Sequence, residues 1–143
     1  MVVYVALDDN NGMMFNYRRQ SQDKLLRKDL LEDCADSKLW ISNYSADQFS
    51  SDFPSGLPNN ILVDDDFLRK ADVNDCCFVE EFPLSFHLNK IHKIVIYKWN
   101  RVYPADFYFD LDLSIDNWVN TSTSEFVGTS HEKITKEVWE LKC

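Results

Sequence analysis

Short apolar runs and amphipathic helical segments alternate along the N-terminal part of the chain, and this alternation restricts the possible folds. The run Val2–Leu7 is rich in β-branched residues and nearly continuous in apolar character, which is typical of a buried strand. A helix is predicted from Ser21 to about Asp33, because Ser21 can cap it and Asp23 lies in its first turn, where the dipole favours an anion. Strands connected through helices in this order form a mostly parallel sheet.

The same order continues until the pattern changes near Trp99. Further strands are predicted at Lys38–Ser42, Ile61–Val63, Cys76–Glu80 and His92–Trp99, with short helices at Ser45–Ser51 (capped by Ser45), Asp64–Lys70 and Leu84–Ile91. Only strand-like segments follow, namely Phe107–Leu113, Trp118–Phe126 and Ile134–Leu141. The sequence therefore predicts a single-domain α/β fold over residues 1–143, with a mainly parallel twisted sheet, flanking helices and a C-terminal antiparallel hairpin.

Composition and charge exclude several classes of function. The chain has 143 residues, of which 45% are hydrophobic, so it can bury a core. Its formal net charge of −9 disfavours nucleic acid and acidic membrane surfaces as partners. Neither a long apolar run nor a signal peptide is found, which predicts a cytoplasmic protein without a membrane segment. The four cysteines form no CxxC pair and the three histidines lack metal-binding spacing, so reduced thiols and no metal site are expected.

The connection between the first strand and the first helix is unusually long. Strand–helix connections usually take about 2–6 residues, whereas this one extends from Leu7 to Ser21, roughly twice that length. Arg18 and Arg19 could bind a carboxylate or phosphate through bidentate hydrogen bonds, and Tyr17 could stack on a flat ring. In the alternative interpretation the loop is structural, its apolar residues cover the core, and the arginines pair with surface carboxylates.

The order of the elements and several segments resemble dihydrofolate reductase. VALDDNNGM resembles that enzyme's first strand and the flexible loop after it, and KIVIYKWNRVYPADFYF resembles a strand that leads into an acidic loop. Asp106 and Phe109 keep the enzyme's Asp-x-x-Phe spacing, while DNW (116–118), SEF (124–126) and SH (130–131) resemble its final strands. The resemblance covers nearly the whole chain and implies the reductase fold.

The segments that hold the cofactor in the reductase differ in this sequence. Where the enzyme has a Gly-Gly pair that lets its backbone approach the cofactor pyrophosphate, this chain has the carboxylates Glu80 and Glu81. The enzyme's basic residue after the second strand is absent, although Asn43 and Ser45 remain candidate ligand contacts. The Pro-Trp of the enzyme's mobile loop is replaced by Arg-Arg-Gln, which adds Gln20 to these candidates. No cofactor is therefore expected.

Three functions remain open at this point. The first is a non-catalytic pseudoenzyme that binds a small anionic ligand or a protein through the candidate residues Tyr17, Arg18, Arg19, Gln20, Asn43 and Ser45. The second is a divergent enzyme on a pterin-like or nucleotide-like substrate, in which the resemblance implies Asp23 as the acid. The third is a structural protein whose aromatic residues form a homodimer interface. No nucleophile stands at a recognisable spacing from a base.

The chain also resembles a group of short bacterial proteins that carry the automated name ribonuclease Z. The HxHxDH metal ligands of that hydrolase do not occur in this sequence, and an acidic chain is poorly suited to tRNA. This second resemblance therefore implies no nuclease activity.

Overall fold

A computed structural model describes residues 1–115 and 117–142, and its centre is a seven-stranded mixed sheet. The sheet order is β5-β4-β6-β1-β7-β10-β9, and a smaller sheet has the order β3-β2-β8. The strands are β1 (Val2–Leu7), β2 (Gly12–Phe15), β3 (Arg18–Arg19), β4 (Leu39–Ile41), β5 (Ile61–Val63), β6 (Cys76–Phe78), β7 (Lys93–Lys98), β8 (Phe107–Tyr108), β9 (Trp118–Phe126) and β10 (Ile134–Leu141).

Strand β1 is the axis of the main sheet, because it pairs in parallel with β6 on one side and with β7 on the other. Strands β4 and β5 extend the parallel part, whereas β10 pairs antiparallel with β7 and β9 pairs antiparallel with β10. The predicted architecture, a mainly parallel sheet with a C-terminal antiparallel hairpin at one edge, is confirmed.

The two faces of the main sheet bury different side chains, since residues alternate across a strand. Val3 and Val5 of β1 pack on the face covered by β2 and by helix α3 (Phe67–Lys70), whereas Tyr4 packs on the opposite face. That opposite face is covered by helices α1 (Lys24–Asp33) and α2 (Asn43–Ser50). A 3₁₀ helix at Ser85–Lys90 precedes β7, where the sequence predicts an ordinary helix.

The long connection after β1 contains regular structure that the sequence does not predict. Its strands β2 and β3 form a tight hairpin, and Asn16 and Tyr17 between them have φ angles of 52° and 62°. Two consecutive residues with positive φ are typical of the type I′ turns that join twisted strands. Strand β8 completes this small sheet, so the predicted strand Phe107–Leu113 ends early and leaves the main sheet.

The N-terminal caps of α1 and α2 differ from the predicted ones. Asp23, rather than Ser21, caps α1, because its carboxylate accepts the backbone N–H of Leu25 at 2.9 Å. In the same way Ser42, rather than Ser45, caps α2.

Two features noted in the sequence fall outside the described residues, namely Asp116 of the DNW segment and Cys143. The other three cysteines are buried free thiols. Within residues 1–115 and 117–142, no helix has the length and apolar character needed to cross a membrane.

Candidate functional site

Arg19 and Glu80 form an ion pair beyond the carboxyl end of β6. The Arg19 Nε atom donates to Glu80 Oε1 at 2.8 Å, and a terminal guanidinium nitrogen donates to Oε2 at 3.1 Å. The guanidinium also lies 4.3 Å from the centre of the Tyr44 ring and donates to the Tyr44 carbonyl at 3.3 Å. Arg19, a predicted ligand contact, therefore binds groups of the protein itself.

Helix α2 holds the same carboxylate from the other side. The Ser45 hydroxyl donates to Glu80 Oε2 at 2.7 Å, and the Gln48 amide donates to Oε1 at 3.1 Å. Each oxygen of the buried Glu80 thus accepts two hydrogen bonds, which is what a buried carboxylate needs. Ser45, another predicted ligand contact, is brought together with Arg19 through this carboxylate.

Glu81 lies at the N-terminus of α2. The hydroxyl of Ser42 accepts the Ser45 N–H and donates to Glu81 Oε1 at 2.7 Å. Burial raises the pKa of Glu81, the nearby Glu80 and Asp65 raise it further, and the hydrogen bond from Ser42 acts in the opposite direction. A helix N-terminus favours anions, and the carboxylates of Glu80 and Glu81 already lie beside the N-terminus of α2.

Asp23 connects the start of α1 to the turn between β9 and β10. Its Oδ1 atom accepts the N–H of Leu25 and the N–H of Thr129, both at 2.9 Å. Its Oδ2 atom accepts the N–H of Ser130 at 2.9 Å and lies 3.0 Å from Nδ1 of His131. The side chain of Asp23 is completely buried.

These contacts keep Asp23 ionised. Burial alone would raise its pKa, but the hydrogen bonds from the Thr129 amide, the His131 ring and the Ser130 amide outweigh burial and hold the pKa well below its usual range. A general acid must carry a proton near working pH and reach the substrate. The contacts in this structure hold Asp23 as an ionised acceptor of hydrogen bonds, whereas the resemblance implied the role of an acid.

His131 continues the contacts of Asp23 towards two hydroxyl groups. Its Nε2 atom lies 3.0 Å from Ser21 Oγ and 3.1 Å from the Tyr103 hydroxyl. The ring stacks on Trp99, with 4.4 Å between the ring centres and 27° between the planes. His131 is buried, so packing and hydrogen bonds fix both the position and the orientation of its ring.

The remaining predicted contacts lie near the surface and are not gathered around one point. Arg18 and Gln20 line a cavity of about 300 Å³ together with Tyr103 and Pro104. Tyr17, at the tip of the β2–β3 hairpin, is 91% exposed. Asn43 is the first residue of α2, and its backbone N–H donates to Asp65.

A separate cleft of about 700 Å³ lies between α1 and the segment that connects α2 to β5. Its apolar lining comes from Leu25, Leu31, Ala35, Phe53, Pro54, Pro58 and Ile61, and its polar lining from Lys24, Lys28, Glu32, Ser51, Asp52 and Asn60. Arg27, on the same helix, forms a two-bond ion pair with Asp52, at 2.7 and 3.3 Å. This pair links α1 to the opposite wall of the cleft.

Among the residues that the structure describes, no cluster of three or more His, Cys, Asp or Glu side chains has the arrangement of a metal site.

Sequence reasoning missed two parts of this arrangement. The contact between Ser21 and His131 joins positions 110 residues apart, and the pairing of Arg19 with Glu80 joins positions 61 apart. Only a fold can reveal contacts at such separations. The one sequence signal was the SH segment, which the resemblance already placed in the final hairpin.

Comparison with known proteins identifies the fold. A solved dihydrofolate reductase from Enterococcus faecalis, complexed with NADP(H) and RAB-propyl, superposes with a TM-score of 0.68 over 99% of this chain and 96% of that chain. The two sequences are 12% identical. No family model matches the chain, and no curated protein matches it in sequence. The predicted resemblance is thereby confirmed at the level of the fold, and this chain has a dihydrofolate reductase-like fold.

Proposed function

We propose that the chain is a ligand-binding protein that holds a small, flat, apolar molecule with an anionic group in the cleft beside α1. The observation that carries this proposal is the cleft itself, about 700 Å³ in volume, with apolar walls and two lysines on one side. Small-molecule sites usually have volumes of about 300–1,000 Å³ and combine apolar walls with a few polar groups.

The apolar walls of the cleft suit a flat ligand. Leu25 and Leu31 face it from α1, and Phe53, Pro58 and Ile61 face it from the opposite wall. Leu25 is 39% exposed, so its side chain is accessible to a ligand in the cleft. Covering these side chains would remove apolar area from water and thereby favour binding.

The lysines determine the charge of the proposed ligand. Lys24 and Lys28 are one helical turn apart, so both ammonium groups lie on the same side of α1. The cleft also contains two carboxylates: Asp52 is already neutralised by Arg27, and Glu32 leaves the two lysines with an excess of one positive charge. In a chain of net charge −9, two neighbouring exposed lysines beside apolar walls favour a carboxylate, sulfonate or phosphate on the ligand.

Reduction of a substrate by a nicotinamide cofactor is not part of this proposal. The solved relative is complexed with NADP(H), but a shared fold does not transfer a function whose site is altered. In this chain Glu80 and Glu81 surround the start of α2, and these carboxylates would repel a pyrophosphate.

Binding of an aromatic sulfonate tests the proposal. We expect 8-anilinonaphthalene-1-sulfonate to bind the folded protein with one site, and the double variant K24E/K28E to bind it at least tenfold more weakly. Tenfold corresponds to about 1.4 kcal/mol, less than two charge-assisted contacts contribute. Fluorescence titration and calorimetry would measure both affinities.

The matched control replaces two other exposed lysines and changes the net charge equally. Lys38 and Lys142 lie outside the cleft, so K38E/K142E should bind the probe as the unmodified protein does. Equal affinities of the two double variants would contradict the proposal. A Phe53→Ala variant separately tests the apolar wall, and it should also bind the probe more weakly.

A further inference from the structure

Two side chains from the start of α1 and one from the turn between β9 and β10 form a hydrogen-bonded series. Asp23 Oδ2 lies 3.0 Å from His131 Nδ1, and His131 Nε2 lies 3.0 Å from Ser21 Oγ. Carboxylate, imidazole and hydroxyl follow each other in this order in serine hydrolases, and the arrangement is recognised by its geometry rather than by the order in the chain.

We propose that Ser21 is a nucleophile for acyl transfer from small esters, with His131 as its general base and Asp23 as the positioning residue for His131. Ser21 and His131 are then the catalytic residues, because they contact the reacting atoms. This second site does not depend on the ligand proposed for the cleft beside α1.

The contacts of Asp23 favour one tautomer of the neutral imidazole. Two backbone N–H groups, from Thr129 and Ser130, donate to its carboxylate at 2.9 Å each and keep it ionised. An ionised carboxylate beside Nδ1 makes that nitrogen the donor, which leaves Nε2 as the acceptor for a hydroxyl proton. Stacking on Trp99 holds the ring in this orientation.

Exposure differs along the series in the way a nucleophile requires. Asp23 and His131 are buried, whereas Ser21 is half-buried. The wall of the cavity of about 300 Å³ contains Gln20, the residue before Ser21, and Tyr103, whose hydroxyl lies beside the same Nε2 atom, so a substrate would approach Ser21 from this cavity. Arg18 in the same wall offers a cation to a substrate that carries a carboxylate.

The proposed reaction has two steps. Ser21 Oγ attacks the ester carbonyl carbon while its proton moves to His131 Nε2, the ester C–O bond breaks, and the alcohol leaves with that proton. Water then attacks the acyl-serine, again losing a proton to Nε2, and releases the carboxylic acid and the serine hydroxyl. No oxidant, reductant or metal ion takes part.

Tyr103 competes with Ser21 for the same nitrogen. Its hydroxyl lies 3.1 Å from Nε2, nearly as close as Ser21 Oγ, and a single lone pair accepts one strong hydrogen bond at a time. Replacing Tyr103 by Phe removes the competing donor and leaves the series from Asp23 to Ser21 intact.

A fluorophosphonate probe tests the nucleophile directly. The probe should form an adduct on Ser21 that peptide mass spectrometry locates, and the protein should hydrolyse 4-nitrophenyl acetate. S21A should lose the adduct and at least 90% of the hydrolysis, whereas S55A, a change of an exposed loop serine, should retain both. Circular dichroism would confirm that both variants are folded.

The base is tested by H131Q and Y103F. H131Q should lose the adduct, and Y103F should label at least as fast as the unmodified protein. Absence of an adduct on Ser21, hydrolysis that persists in S21A, or labelling lost in a folded Y103F would each overturn the proposal. If H131Q does not fold, the results with S21A and Y103F still decide whether Ser21 is the nucleophile.

Discussion

The guanidinium of Arg19 and the carboxylate of Glu80 meet through two hydrogen bonds, at 2.8 and 3.1 Å, between the β2–β3 hairpin and the end of β6. The contact ties the long connection after the first strand to the main sheet. It also neutralises a buried carboxylate close to the start of α2. The pair therefore stabilises the hairpin and engages two guanidinium nitrogens of Arg19 within the protein.

Replacement of Arg19 by Met should destabilise the protein by about 2–4 kcal/mol. The variant would leave the buried Glu80 with only the hydrogen bonds from Ser45 and Gln48, and an uncompensated buried charge is costly. Urea denaturation would measure the change in the free energy of unfolding. The variant R18M removes a neighbouring exposed arginine, and it should change that free energy by less than about 0.5 kcal/mol.

The double variant R19M/E80M should be less destabilised than the sum of the two single variants. Once both charges are absent, no unpaired charge remains buried, and two apolar side chains can pack in their place. If the double variant loses as much stability as the two single variants together, Arg19 and Glu80 are not energetically coupled, and the prediction is contradicted.

Asp23 should make the stability of the protein depend on acidic pH. Its pKa is lower in the folded protein than in the unfolded chain, where an aspartate has a pKa of about 3.9. Its contribution to stability is therefore complete above that unfolded pKa and is lost as the pH falls further towards the folded pKa. The stability difference between the unmodified protein and D23N should shrink progressively below about pH 4, measured by urea denaturation at several pH values.

At neutral pH, D23N should cost about 1–3 kcal/mol, because an amide NH₂ would face backbone N–H groups that now donate to a carboxylate oxygen. Replacement of the exposed Asp36 by Asn is the control, and it should leave the pH dependence unchanged. A difference between D23N and the unmodified protein that stays constant down to pH 2 would be inconsistent with an ionised, hydrogen-bonded Asp23.

Gly128 should tolerate no side chain, since it lies against the same carboxylate. A Cβ atom at this position would overlap Asp23 Oδ2 and would lie 2.8 Å from Ile134 Cδ1. G128A should therefore destabilise the protein by about 1–3 kcal/mol, as overpacking does. In a D23A background the overlap with the carboxylate disappears, so G128A should cost less there. Equal costs in the two backgrounds would contradict this close contact.

Most of the fold could be predicted from the sequence, because the apolar runs that form the main sheet are continuous and separated by helical patterns. Ile61–Val63, Trp118–Phe126 and Ile134–Leu141 are strands with the predicted bounds. The β2–β3 hairpin was missed because its turn uses Asn16 and Tyr17 rather than a glycine, and a bulky aromatic residue is a weak signal for positive φ.

Much less of the site could be predicted, because local patterns do not show which charges meet. Arg18 and Arg19 are adjacent and look equivalent in the sequence. In the structure both line one cavity, but Arg19 is bound to Glu80 and largely buried, whereas Arg18 is exposed. The same limit applies to Asp23. The resemblance implied an acid at this position, but its partners at Thr129–His131 come from the other end of the chain and are not visible in the local pattern.

A thermal-shift titration with NADPH tests most directly whether this chain keeps the fold of a reductase without its cofactor site. We predict no change in melting temperature up to millimolar NADPH, because carboxylates surround the start of α2 where a phosphate would need positive charge. Specific binding at 100 times the Kd would stabilise the protein by about 2.7 kcal/mol, or several degrees for a chain of this size. A saturable increase of that magnitude would contradict the loss of the cofactor site.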